Sequence, residues 1–300
     1  MNDSHCHFFS ERFFVGLGRS LPDTSPDAAE QTALDRLGWE APGTPEQLAD
    51  RWASELDLHN VIRAALIASV PGDDEAVARA VRRHPARFVG FFMVDPTVPE
   101  AAVQAGTALD RGGLRVICLF PALHGYSLHD PRVRALFEVA AARTGTAIFV
   151  HCGVLSIGVR KKLDLPSAFD LRLGDPLGVA RVAARFRRVP VIIPHFGAGL
   201  FREALMAADQ CPNIHFDTSS SNSWMRYHPH LTLDAVFRQA LEVLGPERLL
   251  FGTDSSFFPS GWQRPLYDAQ LRALDAIGVD AASRAKILGG NFDRLFPVQG

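Results

Sequence analysis

With 300 residues, 47% of them hydrophobic, the chain can bury a sizeable core, as one large α/β domain or two ordinary ones. Its formal net charge of −2 gives no overall pull toward nucleic acid or anionic lipid, and no apolar run reaches the roughly 18 residues of a membrane span. Four cysteines without C-x-x-C spacing (Cys6, Cys118, Cys152 and Cys211) and a polar N-terminus where a secretory leader would be apolar suit a reduced, cytoplasmic setting.

The first element is "SHCHF", read as a strand that places His5 and His7 on one face, because alternate strand residues share a side. Only Met1–Ser4 precede His5, so this strand should be short. The segment 16–43 reads as an insertion. "TPEQLADRWASELD" (44–57) then predicts a helix with Thr44 as N-cap, Pro45 in the first turn and Gln47 completing a capping box. Leu48, Trp52 and Leu56 recur at i+4 as its apolar face. Strand-like runs follow at 61–69, 87–95, 114–120, 146–151, 189–195, 213–218 and 248–254, each short and rich in Val, Ile, Leu or Phe. Helical patterns at 73–84, 130–144, 175–188 and 232–245 lie between them, with a loop at 154–174 and a helical tail at 280–296. Eight strands alternating with helices predict a (β/α)8 barrel of the α/β class, one domain over residues 1–300, with an insertion after strand 1 and a C-terminal helical tail. An open doubly wound sheet is the alternative, but no G-x-G-x-x-G follows the first strand.

Barrel chemistry sits at the C-terminal ends of the strands. There the sequence places His5 and His7 (strand 1), His151 (strand 5), His195 (strand 6) and Asp254 (strand 8). A lone His-x-His is weak evidence, since eleven histidines in this chain give roughly 0.4 such pairs by chance. A second pair, His228 and His230 in "YHPHL", has no strand beneath it and serves as a control. Taken one at a time, the five have ordinary readings: a frayed terminus, core histidines, and a helix cap for Asp254. Together, imidazoles and a carboxylate in one layer suit Zn2+ or a similar ion with a position open to water. Such an ion lowers the pKa of bound water to ~7. Cys6 and Cys152 adjoin candidate histidines, but alternation turns them toward the helices. His59, His84, His124, His129 and His215 read as loop or surface residues.

Five motifs in order, "DSHCH", "FVHCG", "IIPHFGAG", "LLFGTDSSF" and "ILGGNFDRLF", span nearly the whole chain. They resemble the amidohydrolase-related (amidohydrolase 2) family, barrel proteins that include aminocarboxymuconate-semialdehyde decarboxylase and several hydrolases. The resemblance implies that His5, His7, His151 and Asp254 bind one divalent metal ion, Zn2+ first and Mn2+ compatible. It implies that His195 is the acid/base acting on metal-bound water, with Asp254 also catalytic. No lysine stands at the end of strand 4, where the chain reads Cys118, Leu119, Phe120, so a lysine-bridged binuclear centre is not expected. The expected activity is hydrolysis of a small ester, lactone or amide; the alternative is non-oxidative decarboxylation of an aromatic or unsaturated acid. A metal-free, ligand-binding barrel is the third reading. Mouth loops rich in aromatic residues and arginine suggest a small carboxylate substrate, with Arg12, Tyr126, Arg226 and Trp262 chosen as candidate contacts. No nucleic acid or membrane partner is expected, and a homodimer is left open.

Overall fold

The computed structural model describes residues 1–167, 169–219 and 223–298. The apolar runs form β1 (Asn2–Phe8), β2 (Arg63–Ala68), β3 (Phe88–Met93), β4 (Leu114–Leu119), β5 (Ala147–Val150), β6 (Val191–Ile193) and β7 (Ile214–Asp217). Two short pieces follow, β8 (Leu249–Leu250) and β9 (Ser255–Ser256). All pairings are parallel, in the order β8-β7-β6-β5-β4-β3-β2-β1-β9. The last two pieces are halves of one broken eighth strand. β8 pairs with β7 through Asp217↔Leu250, and β9 pairs with β1 through His7↔Ser256. Between them the Phe251 carbonyl accepts the Ser4 N–H at 2.8 Å, which closes the circle. A (β/α)8 barrel therefore forms. The first strand is not short: its seven residues make it the longest of the nine.

Strand residues alternate between two apolar layers. Ile67, Phe91, Val116, Phe149 and Ile192 fill the barrel interior, while Leu66, Ile117, Ile148, Val150 and Ile193 pack against the surrounding helices. Burial on both faces explains why these runs are almost continuously hydrophobic. Cys6 and Cys152 lie in the helix-side layer, fully buried. The tail helix Asn291–Leu295 sends Phe292 and Phe296 into the interior cluster, with Phe296 5.5 Å from Phe91 between ring centroids. Asn291 donates to the Leu249 carbonyl and Arg63 pairs with Asp293, both at strand starts, so the tail plugs the end of the barrel opposite the mouth.

The helix Pro45–Leu58 starts as its sequence requires. Thr44 Oγ1 accepts from the Gln47 N–H and Gln47 Oε1 accepts from the Thr44 N–H, a reciprocal capping box. Leu48, Trp52 and Leu56 are fully buried. His215 departs from the surface reading. It stands two residues before Asp217 on β7 and so faces inward, where burial, then Arg294 and Arg248, push its pKa down to about 3. Among the described residues no helix is long and apolar enough to cross a membrane.

Candidate metal centre

Strand parity puts the two N-terminal imidazoles over the barrel axis, and each is fixed through Nδ1. His5 Nδ1 lies 2.6 Å from Asp217 Oδ2, and His7 Nδ1 lies 2.8 Å from Ser69 Oγ. Their Nε2 atoms converge on one carboxylate oxygen, Asp254 Oδ1, at 3.3 and 3.0 Å. Asp254 reaches that point from the break in strand 8, where it adopts a left-handed φ of 60°. Aspartate tolerates this conformation better than most residues, and the break re-aims the carboxylate toward the mouth.

His195 closes β6 at a turn with φ of 56° at His195, 52° at Phe196, 86° at Gly197 and 43° at Ala198. With Gly199 at 98°, five successive residues have positive φ, and the three that are not glycine (His195, Phe196 and Ala198) make this a tight, strained reversal of the kind found at functional sites. Its Nδ1 lies 3.0 Å from the Ser219 carbonyl oxygen. A carbonyl only accepts, so Nδ1 carries the proton and Nε2 keeps its lone pair. Gly153 fixes the neighbouring loop: its φ is +69°, and a Cβ there would fall 2.3 Å from the Gly197 carbonyl oxygen. Backbone contact between the loops after β5 and β6 thus holds His151 beside His195, with ring centroids 5.3 Å apart. His151 also stacks on Phe120.

One ligand atom from each of His5, His195 and Asp254 lies within 4.8 Å of the others. His7 joins through the same Asp254 oxygen, and His151 through its ring contact and the shared cavity. Burial alone would depress the His5 pKa, but Asp217 and Asp254 overcome it and raise it to about 9. Burial would raise the Asp254 pKa, yet His5, His7 and His195 hold it well below the usual carboxylate range. Burial, reinforced for His151 by neighbouring His195, pushes the pKa of both His195 and His151 down. The result is an ionised carboxylate among imidazoles, with His151 and His195 held neutral and His5 held charged. A divalent ion binds deprotonated rings and would take the place of the His5 proton between the same anions, so the residues fit one.

Asp217 was not singled out in the sequence, although it ends the run "NIHFDT" in the same layer as the other strand-end groups. It also accepts the Ser219 N–H at 2.7 Å, while Ser219 Oγ lies 3.0 Å from His5 Nδ1 and 3.1 Å from His195 Nδ1. Gly252 leaves the space this carboxylate needs: an added Cβ would lie 2.6 Å from Asp217 Oδ1 and 3.0 Å from Ser219 Cβ. Gly252→Ala should displace Asp217 and weaken metal affinity by about 10–100-fold, as loss of a ligand's orienting partner does. Competition with a chromogenic chelator would check this, and unchanged affinity would remove Asp217 from the machinery.

The cavity over these groups is about 330 Å3 and is walled by Phe9, Phe13, Phe120, Leu155 and Phe258. None of the four candidate substrate contacts is among the described residues lining it. Arg12 sits over Gly72 in a separate depression shared with Asp95 and Arg111. Tyr126 is 3% exposed, packed under its own loop with its hydroxyl unpartnered. Arg226 is exposed and lies over the Tyr227 ring. Trp262 is 2% exposed, and its indole N–H donates to Asp3 at 2.7 Å. Their side chains pack or solvate loops and do not face the cavity. The control histidines behave as ordinary loop residues: His228 Nε2 bonds the Gly199 carbonyl, and His230 is exposed.

A (β/α)8 barrel with clustered histidines and an aspartate at its mouth defines a class of metal-binding barrel enzymes. The chain belongs to the amidohydrolase family, whose model matches residues 3–298. Solved structures share the fold. 5-Carboxyvanillate decarboxylase from Sphingomonas paucimobilis superimposes with a TM-score of 0.67 at 17% identity, covering 100% of this chain and 99% of that one. A probable 2-pyrone-4,6-dicarboxylic acid hydrolase from Acinetobacter baumannii, with citric acid bound, gives 0.61 at 17% identity and 98% coverage of both chains. An amidohydrolase from Burkholderia multivorans with bound zinc gives 0.61 at 17% identity and 99% coverage of both. No curated protein matches the sequence.

Proposed function

We propose that this protein is a metal-dependent hydrolase of a small ester, lactone or amide that carries a carboxylate, working in the cytoplasm. The observation that carries the reading is the convergence of His5 Nε2 and His7 Nε2 on Asp254 Oδ1 beside His195. His5, His7, His151 and Asp254 would hold one divalent ion, Zn2+ first on ligand type and Mn2+ compatible. When bound, such an ion polarises an acyl oxygen and brings the pKa of its water to ~7.

The chain's own residues supply the rest. His195, neutral and with Nδ1–H engaged by the Ser219 carbonyl, has Nε2 free to take a proton from the attacking water and return it to the leaving group. Asp217 holds the His5 ring in one orientation. The apolar walls exclude bulk water and strengthen the electrostatics within. The bound zinc and the hydrolase among the structural neighbours support this reading. A second reading, non-oxidative decarboxylation, is favoured by the neighbouring 5-carboxyvanillate decarboxylase; there His195 would deliver its proton to a substrate carbon.

Metal content by plasma mass spectrometry, on wild type and His7→Ala side by side, tests the reading. Wild type should hold about one equivalent per chain and the variant far less. A panel of aryl lactones and esters, with CO2 release from hydroxybenzoates measured in parallel, then separates the two chemistries. No metal in either protein after reconstitution would overturn both.

A further inference from the structure

The cavity has two chemically unlike ends. At its floor stand the histidines and Asp254; at its rim stands Lys162, the one lysine or arginine among the described residues lining it. Between them the walls are mainly apolar, interrupted by Ser69, Ser156 and Ser256, with Phe9 and Phe13 stacked at 3.9 Å and 2° between planes. An anion entering such a space loses hydration, which is costly without a cation to receive it. Lys162 is placed to receive it.

Its ammonium lies 5.2 Å from the centroid of Trp39, which stacks in turn on Phe258. Lys162 ends the short helix Gly158–Lys162 in the loop after β5, whereas Trp39 belongs to the insertion after β1. The pair therefore joins two excursions that are not part of the barrel itself. Among the described residues Lys162 has no acidic partner. Lys286, by contrast, is tied to Glu247, Arg79 to Glu46, Arg83 to Asp50 and Arg143 to Asp110. A cation held over a ring face, with its charge unclaimed, keeps a long flexible side chain near the mouth and lowers the entropic cost of binding there.

We infer that Lys162, steadied by Trp39, is the carboxylate-binding residue of this cavity and selects planar ring acids whose second polar group reaches the floor. The inference rests on the metal-dependent reading of that floor and names its substrate class. A volume of about 330 Å3, at the small end of the ~300–1,000 Å3 range for ligand sites, confines the substrate to a single ring with short substituents.

The test is calorimetric titration of zinc-reconstituted wild type, Lys162→Met and Lys162→Arg with benzoate and with isophthalate. Isophthalate carries two carboxylates, one for the floor and one for Lys162; benzoate carries only one. Wild type should bind isophthalate about 10-fold or more tightly than benzoate, and Lys162→Met should bring that ratio near one. Lys162→Arg should restore part of it. Equal thermal midpoints would show that the fold is intact, as an exposed position predicts. The inference is overturned if wild type shows no preference, if neither probe binds, or if Lys162→Met keeps the ratio. Zinc content of the same samples separates this from the hydrolase reading. A wild type that retains no zinc overturns that reading, and titrating the metal-free protein with benzoate against benzamide then reads Lys162 alone. There a Lys162→Met variant that leaves the benzoate preference intact overturns the lysine's role.

Discussion

Asp254→Asn should leave the barrel folded and strip it of its metal. The side chain is 33% exposed at the mouth, so the amide, of nearly equal size, creates neither a void nor a clash. What disappears is the charge on which two imidazole Nε2 atoms converge. His5, held up to about 9 by Asp217 and Asp254, would lose one of those anions, and His5, His7 and His151 would be left without the carboxylate that completes the ligand set. Loss of a ligand should exceed the 10–100-fold cost of losing an orienting partner, so zinc affinity should fall by well over ~100-fold. Equilibrium dialysis against a buffered zinc series reads this directly. A variant that keeps one equivalent at wild-type affinity would place the ion elsewhere. The near-isosteric change matters because a simultaneous loss of fold would not separate the ligand from the scaffold.

The sequence carried the periodic parts of this structure and missed those that depend on contacts between distant segments. Parity alone is enough to send His5 and His7 inward and Cys6 outward, because a strand has only two faces. The Thr44 capping box is equally local. The run 248–254 looks like one strand, and nothing in its hydropathy reveals the break that separates β8 from β9 and turns Asp254 to a φ of 60°. The helix Ala101–Asp110 escaped the reading because alanine and glycine supply most of its buried face, giving little hydrophobic contrast.

The site shows the same division. Strand-end histidines are visible because their position, not their partner, marks them. Asp217 acts through His5, 212 residues away in sequence, and only barrel closure brings them together. Arg12, Tyr126, Arg226 and Trp262 were chosen by residue type, but an aromatic side chain that packs a loop is chemically the same as one that binds a ring. Lys162 lies in a loop without periodicity, and its place at the rim depends on Trp39 from another loop. Residue chemistry limits what a site can do; tertiary contact decides which residues are in it.

Removing the Asp3 carboxylate should cost more stability than any other single polar substitution near the mouth. The group is fully buried where strands 1 and 8 meet, and it accepts four hydrogen bonds: from the His5 N–H at 2.9 Å, the Thr253 N–H at 3.1 Å, Thr253 Oγ1 at 2.5 Å and Trp262 Nε1 at 2.7 Å. Burial raises its pKa to about 6 against the pull of those donors, so at pH 7.5 it is still mainly the anion they require. Asp3→Ala leaves four donors facing a small void. Each unsatisfied buried group costs about 1–3 kcal/mol, and partial relaxation limits the sum to about 3–5 kcal/mol. Urea unfolding of the metal-free protein at pH 7.5 should show this as a lower midpoint with an unchanged slope. Metal affinity should fall as well, since the His5 backbone is one of the four donors. An unfolding free energy within about 1 kcal/mol of wild type would mean that water replaces the carboxylate and that barrel closure rests on backbone bonds such as Ser4–Phe251 and those of β1–β9.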